Sequence, residues 1–200
     1  MQSCAFSELK SNILACRECV GVLPLGPKPI LQIHPQAKLL IVGQAPGRRA
    51  HDANLAFDDL SGDRLRDWLG ISKELFYDAT NIALVPMGFC FPGTGRSGDL
   101  APRKECAEKW RHQLLNQLTE IQLTVILGRY AQAYHLETRK KTTLTEQVKA
   151  SKYWLEQGKI VLPHPSPRNN RWLAQNPWFE KDILPLLREH VAQLLATPSA

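Results

Sequence analysis

The sequence predicts a three-layer α/β/α sandwich built on a four-stranded parallel sheet, and three observations predict it. Four short runs rich in Val, Ile and Leu, "KLLIVG" (38–43), "ATNIALV" (79–85), "LTVILG" (123–128) and "KIVLP" (159–163), have strand length and no clean alternation of apolar and polar residues. Strands of that kind are covered on both faces, as in a parallel sheet. Helical patterns separate the runs, and the resulting β-α-β-α-β-α-β order packs helices on both sides of the sheet. The length of 200 residues suits about one domain, so 1–200 reads as a single unit.

Taken in order, residues 1–37 read as an N-terminal extension, a helix and a Pro-rich loop, carrying Cys16-x-x-Cys19. The first strand runs into "GQAPG" (43–47), where Gly43 and Gly47 permit close backbone approach and Pro46 stiffens the turn. "GDRLRDWLG" (62–70) is a helix stopped by Gly70. The second strand opens into "PMGFCFPGTGR" (86–96), and "RKECAEKWRHQLLNQLTEI" (103–121) sets Cys106, Trp110, Leu114 and Leu118 at helical spacing. "GRYAQAYHL" (128–136) is a helix following its strand directly, and 138–158 is charged and ambiguous, a poor helix or a surface excursion. After the fourth strand comes "HPSPRNNR" (164–171), and "EKDILPLLREHVAQLL" (180–195) closes the chain as a helix that Pro185 is expected to kink or break early.

Composition excludes some classes. Apolar content of 44 % suits a globular chain, and no run reaches the roughly 18–20 apolar residues of a membrane span. The N-terminus carries Glu, Lys and Cys where a secretory signal would be apolar, so a cytoplasmic protein is expected. A net charge of +6 leans towards an acidic partner such as nucleic acid. Five cysteines, an odd number, read as metal ligands or buried thiols. "GQAPG" lacks the Lys-Ser/Thr end of a P-loop and the third Gly of a dinucleotide fingerprint, and no G-x-S-x-G elbow is present.

In open α/β sheets ligands bind beyond the carboxyl ends of the strands, and three of the four strands end in a loop of unusual composition. "HPSPRN" (164–169) is the most specific. His164 sits between Pro163 and Pro165, its backbone restricted from both sides, at the end of a strand and four residues before Arg168. That pattern suits a positioned side chain better than an ordinary turn.

"GQAPG" after the first strand and "HPSPRN" after the last resemble the two signature loops of the uracil-DNA glycosylase superfamily. Cys16-x-x-Cys19, with Cys90 and Cys106 separated by fifteen intervening residues, is similar to the four-cysteine arrangement of its family 4 iron–sulfur enzymes. "CFPGTGR" echoes that family's C-R-P-P-x-N-R, Phe57 falls where those enzymes place a base-stacking Phe, Gly62 matches a following Gly, and "LGR" (127–129) fits the end of their third strand. The chain departs from family 4 at three places. It has Gln44 in place of Glu, Pro86 in place of the base-reading Asn with Asn81 the nearest candidate, and a final loop closer to the single-strand-selective monofunctional branch.

The resemblance implies a monofunctional DNA glycosylase that flips and excises uracil, or another damaged or modified base, in base excision repair. The alternative is a non-catalytic protein on the same fold that binds DNA or abasic sites. A neutral His164 would stabilise the anionic leaving base, Gln44 would orient water, and Asp52 is a candidate carboxylate for the same water. Phe57, Gly43, Ala45 and Asn81 would hold the extruded base. Arg168 would fill the gap left in the stack, with Ser166, Asn169, Arg48 and Arg171 on phosphates. Cys16, Cys19, Cys90 and Cys106 would hold a [4Fe–4S] cluster, zinc or no metal being the alternatives, with Cys4 spare. DNA, single- or double-stranded, is the expected partner, with no membrane, and a monomer is the default. "CFPGTGRSGDLAPRKEC" (90–106) contains no His, which sets aside the covalent-trapping relatives.

Overall fold

The four apolar runs form four strands in the computed structural model, which describes residues 2–96, 98–136 and 142–196. They are β1 (Leu39–Val42), β2 (Ile82–Leu84), β5 (Leu123–Leu127) and β6 (Lys159–Leu162); two short strands between, β3 (Thr94–Gly95) and β4 (Gly98–Asp99), pair as a separate antiparallel hairpin. The main sheet has the order β2-β1-β5-β6, with every pair parallel. Ile41 stands beside Leu84 on one side and Val125 on the other, and Ile126 beside Val161. Every residue of β1 and β2 is buried, which is why those runs showed no alternation. Each such Leu, Ile or Val contributes about 1.5–3 kcal/mol relative to exposure.

Helices flank this sheet, giving the expected α/β architecture. The helix Leu60–Leu69 starts on Asp59, whose carboxylate accepts from the Gly62 amide, and ends at Gly70 in the left-handed region. The terminal helix Leu184–Ala196 packs against it, with Arg188 donating to the Asp67 carbonyl at 2.9 Å and Trp68 meeting Phe179 edge-on. Pro185 does not break this helix. The preceding turn, Phe179–Ile183, is π-helical, and its wider winding accommodates a ring that an α-turn would press against the carbonyl one turn back.

One other stretch differs from expectation, and an ambiguous one is settled over its described residues. The helix foreseen over 103–121 is Lys104–Cys106, a π-helical Ala107–Arg111 and His112–Gln117 in succession. Within the ambiguous stretch, Leu144–Lys149 and Ser151–Leu155 are helical, the first nucleated by a capping box between Thr143 and Glu146; residues 138–141 lie outside the described ones. The N-terminal extension gives the helix Gln2–Leu14 and then a loop that covers the open edge of β2, where Gln32 and Leu84 exchange backbone hydrogen bonds of 3.0 and 2.8 Å. Among the described residues no helix is long and apolar enough to cross a membrane.

The topology fixes where a ligand can sit. The chain leaves β1 for the edge strand β2, then crosses back to β5 on the other side of β1. The order therefore reverses between β1 and β5, and a crevice opens beyond their carboxyl ends.

Candidate active site

That crevice is a cavity of about 490 Å³, lined by residues from the loops after all four strands of the main sheet. Its volume lies within the range of small-molecule sites, about 300–1,000 Å³. Gly43, Gln44 and Ala45 come from the first loop, Pro86 from the second, Arg129 and Tyr130 from the third, and His164, Ser166, Arg168 and Asn169 from the fourth.

His164 is held by its own loop. The Ser166 amide donates to its Nδ1 at 3.2 Å, the Asn169 side chain donates to its carbonyl at 2.7 Å, and the Arg168 amide donates to Ser166 Oγ at 3.3 Å. Arg64 ties the same loop to the helix Leu60–Leu69 through Asn170 Oδ1 at 2.8 Å. A nitrogen that accepts a hydrogen bond carries no proton, so the neutral ring keeps its hydrogen on Nε2 and is a donor there. Burial pushes the imidazole below the ordinary histidine range, while the carboxylates of Asp59 and Asp99 pull the other way.

Phe57 has a different kind of support. Its φ of 58° lies in the left-handed region, which costs a non-Gly residue on the order of 1–3 kcal/mol unless its surroundings impose it. They do so here. The Phe57 carbonyl lies so close to Gly62 that a Cβ there would stand 1.7 Å from its oxygen, and the same carbonyl accepts from buried Arg66 at 3.3 Å. Arg66 in turn pairs with Asp63 and lies over the rings of Phe76 and Tyr77. The Phe57 ring meets Phe76 edge-on, and its tip lies 3.5 Å from where a Cβ on Gly43 would be. An aromatic face is thereby fixed against the start of the first loop.

The floor beside Pro86 rests on a buried cation. Arg111, fully inaccessible, donates to the carbonyls of Pro86 at 2.9 Å and Val85 at 3.3 Å and lies 2.9 Å from His135 Nε2. Burial and the neighbouring cation push His135 down to about 3, so it stays neutral and accepts from the guanidinium.

Several residues singled out in the sequence are not brought to this cavity. Asn81 lies at the amino end of β2, the opposite end of the sheet; its side chain binds Asp78 and its carbonyl accepts from Lys38 and Leu39, so it cannot read a base here. Asp52 is exposed on the helix Arg48–Ala53, one turn along from Arg48, and the two form an ion pair at 2.9 Å outside the cavity. Neither that Arg48 nor Arg171, exposed on the helix Asn170–Gln175, lines the pocket.

Other residues do line it that the sequence reading had not singled out. Asp99 arrives on the β3–β4 hairpin, whose Gly-rich "GTGRSGD" (93–99) is a turn signal. Arg129 and Tyr130 arrive because the helix Gly128–His135 starts directly at the end of β5, so its first residues must face the crevice.

Cys16, Cys19, Cys90 and Cys106, all free thiols, line a second, smaller pocket together with Phe89 and Trp110, whose indole donates to Cys16 Sγ at 3.4 Å. Burial pushes the Cys90 thiol up to about 12 and raises those of Cys19 and Cys106 as well. Four soft sulfur donors around one pocket suit a thiolate-bound metal in kind, although no three metal-ligating side chains among the described residues are already gathered for one. Cys4 is exposed and stands outside this pocket.

A cavity at the switch point of a parallel sheet, with a fixed aromatic ring, a neutral imidazole donor and arginines among its lining, has a chemistry suited to a flat heterocycle on an anionic chain. Residues 31–188 match the family model of the Uracil DNA glycosylase superfamily, most of the chain, and the protein belongs to that superfamily. Membership brings DNA as the substrate and DNA glycosylase chemistry in general.

Proposed function

We propose that the protein is a monofunctional DNA glycosylase that excises uracil in base excision repair, acting as a cytoplasmic monomer. The observation that carries this reading is the hydrogen bond from the Ser166 amide to His164 Nδ1, which leaves Nε2–H as a donor at the cavity. As the glycosidic bond breaks, negative charge develops on the base, and a donor that meets it only then lowers the barrier. A uracil carbonyl oxygen is the natural acceptor. Phe57 would stack on the extruded ring, with the backbone of Gly43 and Ala45 along its edge.

Arg168, exposed at the rim, would occupy the gap in the stack, with Ser166, Asn169, Arg48, Arg171 and Arg129 near phosphates. Arg48 and Arg171, although outside the cavity, are exposed and available to the backbone of a longer strand. Such contacts make binding fall steeply with salt.

The four cysteines are proposed to hold a [4Fe–4S] cluster through Cys16, Cys19, Cys90 and Cys106. Bound there, it would supply a structural crosslink between the N-terminal extension and the loop after β2. Ligation requires thiolates, so the raised thiols must release protons when metal enters. Iron and sulfide analysis of anaerobically purified protein, with Cys90→Ala expected to lose both, checks this part separately.

The test of function is incubation of the protein with labelled single- and double-stranded oligonucleotides containing uracil, followed by alkali. A break at uracil is the expected result. Tight binding to abasic DNA with no base released from any substrate overturns the glycosylase in favour of a binding protein.

A further inference from the structure

Resting on that glycosylase reading, we propose that Asp99 is a catalytic residue, the carboxylate that takes a proton from the attacking water. Among the described residues, two carboxylates line the cavity, Asp59 and Asp99. Asp59 is committed to the helix Leu60–Leu69, its Oδ1 accepting from the Gly62 amide at 2.9 Å. Asp52 is held by Arg48 outside, and Asp58 pairs with Lys73 at 3.3 Å. Asp99 has the other arrangement. One of its oxygens accepts from Thr94 Oγ1 at 3.3 Å across the hairpin, and the other lies against Gly47, 3.3 Å from where a Cβ on that glycine would stand. Its carboxylate therefore faces the first loop at Gly47.

The hairpin is bracketed by both of those loops. Gln44 donates through Nε2 to the Leu100 carbonyl at 2.8 Å, with the Asp99 carbonyl at 3.5 Å. Arg168 lies with its guanidinium on Gly98, so close that a Cβ there would stand 1.4 Å from Nη1. The role of Gln44 follows from its chemistry. An amide cannot take a proton from water, but this one fixes the backbone on which the carboxylate sits.

The step balances with groups in the cavity and one water. The bond between C1′ and the base nitrogen breaks with both electrons passing to the base, whose carbonyl oxygen receives the hydrogen bond from His164 Nε2. The water oxygen bonds to C1′, and the proton it sheds passes to Asp99 and from there to solvent. A positioned general base contributes about 10²–10⁴-fold.

Asp99→Asn keeps the shape and the Thr94 contact, and Asp99→Ala opens space for a small acid. Single-turnover uracil release is measured for both, beside affinity for DNA carrying a stable abasic-site analogue. The expected result is a loss of about 100-fold in rate with affinity held within about threefold, and partial recovery of Asp99→Ala on adding formate. A structural role would not give formate rescue. Release by Asp99→Asn within about fivefold of the wild type, or loss of rate in Asp99→Ala without formate rescue, overturns the assignment of Asp99 alone. Failure of the wild type itself to release uracil overturns the glycosylase reading and the assignment with it.

Discussion

The two loops that face each other across the cavity are stiffened in opposite ways. The last loop supplies its own restraints: Ser166 to His164, Arg168 to Ser166 and Asn169 to His164 all close within five residues, between two prolines' worth of fixed backbone. The first loop is held from far along the chain. Its carbonyls at Gly43 and Gln44 accept from the amides of Met87 and Gly88, the Gln44 side chain reaches Leu100, and the Phe57 ring lies against Gly43. A loop that closes on itself can place one side chain under local control. A loop clamped by distant segments ties its geometry to the fold, and any movement of the hairpin or of the Phe57 turn reaches it.

The largest expected effect breaks the self-contained loop at its centre. His164→Ala removes the donor aimed at the departing base while leaving the Arg168 amide on Ser166 Oγ and the Asn169 amide on the Ser166 carbonyl. Loss of one such donor costs about 10²–10³-fold in rate. Single-turnover excision should fall by that amount, with the melting temperature within a few degrees of the wild type. A loss of less than about tenfold would remove His164 from the chemistry.

The clamped side of the comparison is broken at Gly62. A Cβ there meets the Phe57 carbonyl, so Gly62→Ala forces the turn apart or tilts the helix Leu60–Leu69, at a cost of about 1–3 kcal/mol typical of overpacking. Denaturant melting should report that loss. Excision should also weaken, because the displaced ring no longer faces Gly43. A variant that melted as the wild type and excised as well would show that the left-handed Phe57 is not imposed by this contact.

The same contrast explains what could be read from the sequence. The four strands and the His164 loop were legible because their signals are local: apolar runs without alternation, and prolines on either side of a histidine. The Gln44–Leu100 bond, and with it the place of the β3–β4 hairpin beside the first loop, was not, since it joins residues 56 apart in chain and leaves no periodic trace. Asp52 reads in the sequence as a loop carboxylate, but it lies on a short helix and pairs with the Arg four residues before it. Asn81 is the asparagine nearest the expected position, but a strand has two ends, and the turn with Asp78 puts it at the wrong one. Pro185 signals a kink or early break in the sequence, whereas the π-turn that precedes it, with Phe179 in the core, is not visible there.

A finer effect sharpens the comparison through pH. Excision needs His164 neutral, since protonation of Nδ1 would replace an acceptor by a donor facing the Ser166 amide. Activity should therefore hold above the pKa of His164 and fall as pH drops through it. Burial has lowered that pKa, so the acid limb of single-turnover excision is expected below the ordinary histidine value of about 6.5. The charges of Asp59 and Asp99 hold it up, so removing either should move the limb further towards acid. Asp59→Asn is the cleaner variant, because Asn caps a helix about as well as Asp and the helix Leu60–Leu69 keeps its start. An acid limb that stayed in place in Asp59→Asn would mean that the group titrating in the rate profile is not His164.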